Sequence, residues 1–135
     1  MERKFSRIKN EILGKDYSLS IAYISSKKSR ELNKKYRKKD RATNVLAFPL
    51  RKNEGELVLC KPVIRHEAKD FGKTFDQFLG FLVIHGMLHL KGLDHSSTME
   101  RAEAKYDKKY FGGDRRGLSN DASRSGRILK RRKKS

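Results

Sequence analysis

The sequence has little of three things: cysteine, acidic residues and long apolar runs. Cys60 is the single cysteine among 135 residues, so an internal disulfide is excluded and the chain suits a reducing cytoplasm. No apolar run reaches the roughly eighteen residues of a membrane-spanning helix, and residues 1–10 are charged without an apolar stretch for export. We therefore expect a cytoplasmic protein that neither spans a membrane nor is secreted.

Acidic residues are scarce relative to basic ones. There are 16 Asp and Glu against 34 Lys and Arg, which gives a formal net charge of +18. Such an excess attracts polyanions, and nucleic acid is the commonest polyanion in the cytoplasm. An anionic membrane surface is the weaker alternative, because no basic amphipathic helix with a bulky apolar face is visible.

The positive charge is concentrated at the C-terminal end. Residues 115–135 contain nine Lys and Arg and one acid, separated by Ser, Gly and Asn. This composition is typical of a disordered basic arm. We predict one domain over residues 1–113 and a flexible tail over 114–135, which either binds phosphates or only solubilises the chain. The tail residues proposed to contact RNA are Arg131, Arg132, Lys133 and Lys134.

Hydrophobic periodicity predicts a fold of the α/β (α+β) class. The pattern predicts strands near 17–24, 45–48 and 56–60, and helices near 5–13, 26–36, 62–71, 74–90 and 97–110. The second and third strands are close enough to form a hairpin. Pro49 is predicted to end the second strand, and Leu32 to lie on the buried side of the second helix. The expected architecture is a small mixed three-stranded sheet packed with four to five helices.

The helix predicted over 74–90 is apolar nearly all round, which predicts burial. It carries His85 and His89 one turn apart, so that their imidazoles can converge on one ion. Gly92 then permits a turn that brings His95 as a third ligand. Because a buried polar group without a partner costs about 1–3 kcal/mol, a metal site is favoured over three satisfied core histidines. Three ligands leave one position for water; zinc is preferred, although imidazole also suits nickel and copper.

Three further residues have simpler interpretations. Asp94 either accepts a hydrogen bond from a ligating imidazole or is a carboxylate that caps a turn. His66 lies outside the cluster on a charged helix and is predicted to be a solvated surface residue. Cys60 is predicted to be a small buried side chain at the end of a strand.

The histidine spacing also occurs in the metzincin proteases, whose pattern is HExxHxxGxxH. Gly86 stands where those enzymes carry the glutamate that acts as general base. A protease mechanism would lack its proton acceptor, and the charge of +18 favours a polyanionic substrate. A protease is therefore a distant alternative.

Residues 85–95, HGMLHLKGLDH, resemble the HGxLHLxGxDH signature of the YbeY-type endoribonucleases, bacterial metalloproteins of ribosomal RNA maturation and ribosome quality control. Residues 32–49, LNKKYRKKDRATNVLAFP, are similar to that family's LNxxYRxxDxPTDVLSFP block. Residues 55–60, GELVLC, resemble its GDIxIx strand. The resemblance covers residues 19–110 in the family's order.

This resemblance implies a metal-hydrolase-like fold, one zinc ion per chain on the three histidines, and cleavage of single-stranded RNA. It implies ribosomal RNA and the small ribosomal subunit as partners. It also implies that Arg37 is required, and a guanidinium can hold two phosphate oxygens as negative charge builds on them. We therefore name His85 and Arg37 as the catalytic residues; no residue is an obvious general base.

Two departures from the family's pattern bear on these expectations. The family's initial strand is missing before the first helix, so the sheet is expected to be one strand short. The basic tail is additional, and we expect it to contact ribosomal RNA phosphates.

The leading hypothesis is a zinc-dependent endoribonuclease acting on ribosomal RNA precursors. The sequence leaves two alternatives open: a ribosome-associated RNA-binding protein with a structural metal, and a metal-dependent hydrolase of another substrate, including a peptide. Water in the fourth coordination position would favour catalysis, and a fourth protein ligand would favour a structural metal.

Overall fold

The computed structural model describes residues 2–93 and 96–112. Along these ranges the elements are α1 (Glu2–Ile12), β1 (Ser18–Tyr23), α2 (Ser26–Arg37), β2 (Val45–Arg51), β3 (Glu54–Leu59), α3 (Lys61–Asp70), α4 (Phe75–Lys91) and α5 (Ser97–Phe111). The predicted fold class is confirmed: a mixed three-stranded sheet is packed with five helices in the described part of the chain. The predicted tail over 114–135 lies outside the described residues.

The strand order of the sheet is β1-β3-β2. The predicted hairpin of β2 and β3 is confirmed as an antiparallel pair, and β1 pairs with β3 in parallel. The prediction that Pro49 ends β2 is wrong, since the strand continues to Arg51 with a register irregularity between these two residues. Proline lacks an N–H, but β2 lies at an edge of the described sheet, where a strand tolerates that loss.

One face of the sheet packs against α4, and this contact forms the centre of the core. Leu57 and Leu59 of β3 are fully buried there, together with a continuous buried stretch of α4 over 78–88. The predicted burial of this helix is confirmed. Gly86 makes the close approach possible, because a Cβ atom at this position would lie 2.6 Å from Leu57 Cδ2.

Helix α2 is attached to the chain that follows it mainly through polar contacts. The Ser29 hydroxyl donates to the Thr43 carbonyl and accepts from the Thr43 N–H, both at 2.8 Å. Asn33 Nδ2 donates to the Arg41 carbonyl at 2.9 Å. The buried residues of α2 are thus Ser29 and Asn33, whereas Leu32, expected on the buried side, is only half-buried. These bonds attach the first and middle turns of α2 to the segment 41–43, and Arg37 lies one turn after Asn33.

The described helices include none that combines the length and the apolar character needed to cross a membrane. His66 is exposed and Cys60 is buried, as their positions in the sequence predicted.

Candidate active site

Helix α4 supplies the two described histidines of the site. It begins with a capping box between Thr74 and Gln77 and ends at Gly92, whose φ of 109° is the left-handed conformation that glycine adopts readily. Near its C-terminal end, His85 is buried and His89 is half-buried. The Nε2 atoms of the two rings lie 3.1 Å apart, so the imidazoles converge as their spacing predicted.

The separation of these nitrogens can be compared with that of two ligands on one ion. Two donors that bind a tetrahedral zinc at roughly 2.0–2.1 Å lie about 3.3 Å from each other. The observed 3.1 Å is close to that value, so the pair fits such an ion. Within residues 2–93 and 96–112, no group of three His, Cys, Asp or Glu side chains is arranged so that it could hold a metal ion. His95 and Asp94 lie outside the described residues, so the third ligand remains a prediction.

A buried glutamate on α5 holds the first of these imidazoles. Glu103 is only 2% exposed, and its carboxylate is hydrogen-bonded to His85 Nδ1. With Nδ1–H donating to the carboxylate, the lone pair of Nε2 is directed towards the cavity. Accepting a hydrogen bond from a ligating imidazole is one of the two roles predicted above for Asp94.

The sequence analysis missed Glu103, although a signal was present. The buried face of α5 carries Met99, with Ala102 and Tyr106 packed against the core. Glu103 lies one turn after Met99 on that face, where an acid is costly to bury without a partner. A helical-wheel projection of α5 therefore identifies the Glu103 carboxylate as a candidate partner for a buried histidine.

Arg37 and the two histidines face one cavity of about 360 Å³, although they are some fifty residues apart in the sequence. The other residues that line it are Val45, Leu46, Ala47 and Gly86. Arg37 is half-buried, and its pKa is lowered because burial removes water from the guanidinium and Arg41 repels it. The guanidinium nevertheless stays charged. The positive charge of Arg37 therefore faces a cavity into which an anion could bind.

The fold has a counterpart among solved structures. The solution structure of TM1509 from Thermotoga maritima superposes with a TM-score of 0.63 at 32% identity, covering 90% of this chain and 84% of that one. The shared class is a small α+β protein.

The sequence comparisons define the family. The model of the family described as Endoribonuclease YbeY matches residues 2–110, and the chain belongs to this family. A protein named Endoribonuclease YbeY from Stutzerimonas stutzeri is 45% identical over 96 residues, which is 65% of this chain and 60% of the relative. The protein of that name from Staphylococcus carnosus is 33% identical over 107 residues, 70% of each chain. The chain thus spans about 60–70% of the length of these two relatives.

Proposed function

We propose that this protein is a zinc-dependent endoribonuclease that cleaves single-stranded regions of ribosomal RNA during maturation and ribosome quality control. The observation that carries the proposal is the shared cavity, where Arg37 faces the converging imidazoles of His85 and His89. The names of the curated relatives support the reaction class. The ribosomal substrate and the small ribosomal subunit as partner follow from the family resemblance.

The residues of the cavity have separate tasks in this proposal. His85 and His89, with His95 as the predicted third ligand, hold the zinc ion, which supplies an activated water and a Lewis acid when bound. Glu103 keeps the His85 ring in the orientation and tautomer that ligation needs. Arg37 binds phosphate oxygens and stabilises the negative charge that grows on them as the phosphodiester is attacked.

The charge around the cavity supports a polyanionic substrate. The segment 26–43, which contains Arg37, has nine Lys and Arg but only two acids. Such a surface attracts a phosphate backbone and raises its local concentration. A cytoplasmic location is proposed because the only cysteine is buried and reduced.

The test compares cleavage of matched single-stranded and duplex RNAs by wild type, His89→Ala and Arg37→Ala, each with its metal content measured. We expect only wild type to cleave, and only on single strands, while Arg37→Ala retains zinc and His89→Ala loses it. Equal cleavage by all three preparations would identify a contaminating nuclease and contradict the proposal. RNA binding by zinc-loaded wild type without cleavage would instead support the binding-protein alternative.

The tail proposal has its own measurement. If Arg131, Arg132, Lys133 and Lys134 contact RNA phosphates, exchanging all four for Gln should flatten the salt dependence of binding. Each lost contact with single-stranded RNA lowers the slope of log K against log salt by about 0.7. An unchanged slope would show that these residues only solubilise the chain.

A further inference from the structure

Two aromatic residues, Tyr36 and Phe48, are chain neighbours of residues that line the cavity, and this pair is called the rim below. Tyr36 precedes Arg37 in α2, and Phe48 follows Ala47 in β2, and both Arg37 and Ala47 line the cavity. Tyr36 is 56% exposed. Its ring packs edge-on with that of Phe48, at 5.2 Å between centroids and an angle of 70°.

The pairing gives the exposed ring a fixed position. Edge-to-face aromatic pairs are favourable beyond the area that they bury, so Phe48 restrains the Tyr36 side chain. Phe48 is itself half-buried in β2, and hydrogen bonds from Ser29 and Asn33 attach α2 to the segment 41–43. Leu50, at the register irregularity of β2, is also 55% exposed. The rim therefore presents a preformed apolar surface.

The surroundings of this surface are strongly basic. Lys35 Nζ lies 5.2 Å from the centre of the Tyr36 ring. Of the two acids in the segment 26–43, Asp40 is bound by Arg30 at 2.7 Å, which leaves Glu31. Across the sheet, the half-buried Glu56 stands opposite Phe48 and is the further acid at this rim. The net charge near the rings remains positive.

A ligand for this rim must combine flat apolar faces with a negatively charged backbone. Unpaired nucleotides have this combination, and stacking of bases on aromatic rings is a general mode of single-strand recognition. In a duplex the bases are stacked on one another, and their faces are not available. An acidic peptide would satisfy the charges, but it has no regular series of flat faces to match the rings.

We propose that Tyr36, held in place by Phe48, stacks on a nucleobase of the RNA strand whose phosphate lies at Arg37. Consecutive Cα atoms are about 3.8 Å apart, so the base and the phosphate belong to the same or to adjacent nucleotides. The restriction to single strands would then arise at this ring, because a paired base cannot reach it. This inference rests on the proposed function, and it locates the part of the site that selects the substrate.

The test measures binding, separately from cleavage, with a short single-stranded RNA and a strand of equal length in which one central nucleotide is abasic. The full zinc-loaded protein is used, and gels check that the RNA stays intact. We expect Tyr36→Ala to bind the complete RNA about tenfold more weakly, within the range known for loss of one stacked base. Tyr36→Trp should bind it at least as well as wild type. The affinities of wild type and Tyr36→Ala for the abasic strand should be closer to each other.

Tyr23 provides the matched control. It is 46% exposed and carries Lys61 Nζ at 4.3 Å over its ring, but it lines a different cavity with Phe5 and Leu19. Tyr23→Ala should leave RNA affinity unchanged. Because both tyrosines are exposed, neither variant is expected to unfold the protein, and thermal melting checks this.

The outcomes separate this inference from the proposed function. Equal affinity of Tyr36→Ala and wild type for the complete RNA would overturn the stacking site even if cleavage is observed. An equal loss of affinity for the complete and abasic strands would also overturn it. Tyr36-dependent binding of an acidic peptide, with RNA binding unaffected, would assign the rim to a protein partner instead. Tyr36-dependent RNA binding without cleavage would support the stacking site and contradict the proposed catalysis.

Discussion

The two sides of the cavity are built from different parts of the fold. One side is lined by His85, which is 2% exposed and is hydrogen-bonded to the equally buried Glu103 of α5. The other side is lined by Arg37, the last residue of α2, a helix held by hydrogen bonds from the buried Ser29 and Asn33. Core packing thus fixes the first side, and polar contacts to the segment 41–43 fix the second. We expect changes on the first side to affect stability and metal binding, and changes on the second to affect substrate binding and rate.

The largest effect is expected from removal of either histidine. His89→Ala and His85→Ala should both lose the metal and reduce cleavage to background, because a proposed ligand is missing. They should differ in stability, since only His85→Ala leaves the buried Glu103 carboxylate without its partner. That loss is expected to cost at least about 1–3 kcal/mol more in urea unfolding of the metal-free proteins. Equal free energies of unfolding would show that the bond between His85 and Glu103 does not stabilise the fold.

The next largest effect is expected on the side of the cavity that carries Arg37. Arg37→Ala should lower kcat by about a hundredfold to a thousandfold, the range seen when one donor to a developing oxyanion is removed. Arg37→Lys should recover only part of the rate, because a lysine cannot bind two oxygens in a fork. Zinc content and the melting temperature should match wild type. A loss of zinc in Arg37→Ala would show that the two sides are not independent.

A smaller effect is expected from the Glu103 carboxylate, which is bound to the proposed metal ligand His85. Glu103→Gln should weaken zinc affinity about tenfold to a hundredfold, because the amide no longer fixes the charge and tautomer of His85. Competition with a chromophoric chelator measures this affinity. Glu100→Gln is the matched control, since Glu100 lies exposed on the same helix. If both variants bind zinc like wild type, Glu103 does not orient the ligand.

The smallest effect concerns packing beneath the cavity. Gly86→Ala places a methyl group 2.6 Å from Leu57 Cδ2, and overpacking of this kind costs about 1–3 kcal/mol. Gly80→Ala would meet the Phe111 ring at 2.4 Å, but Phe111 is only half-buried and can move aside. We therefore expect Gly86→Ala to lower the urea midpoint more than Gly80→Ala does. The reverse order would show that the central contact of α4 with the sheet is not rigid.

The parts of the site that depend on local signals could be predicted from the sequence. Thr74 and Gly92 mark the ends of α4, and its apolar residues indicate burial, so the helix and the spacing of His85 and His89 follow directly. The hairpin of β2 and β3 is equally local.

The parts of the site that depend on contacts between distant segments could not be predicted from local sequence signals. Glu103 reaches His85 only because α5 packs along α4, whereas proximity in the chain suggested only Asp94 as a possible partner of a ligating imidazole. The position of Arg37 beside the histidines was inferred from the family resemblance, because no periodicity relates α2 to α4. Pro49 indicated a strand end, and only the strand order shows that it lies at an edge.

The hydrogen bond between Glu103 and His85 also bears on whether the protein folds before or after it binds a metal ion. Small zinc domains that lack a core fold only when the ion arrives, so chelators denature them. Here the imidazole is already oriented by a carboxylate that is buried within the core. The polypeptide can therefore complete its folding before the proposed zinc ion binds. Such an ion would add to stability only in proportion to its occupancy, by mass action, and its removal should leave the protein folded.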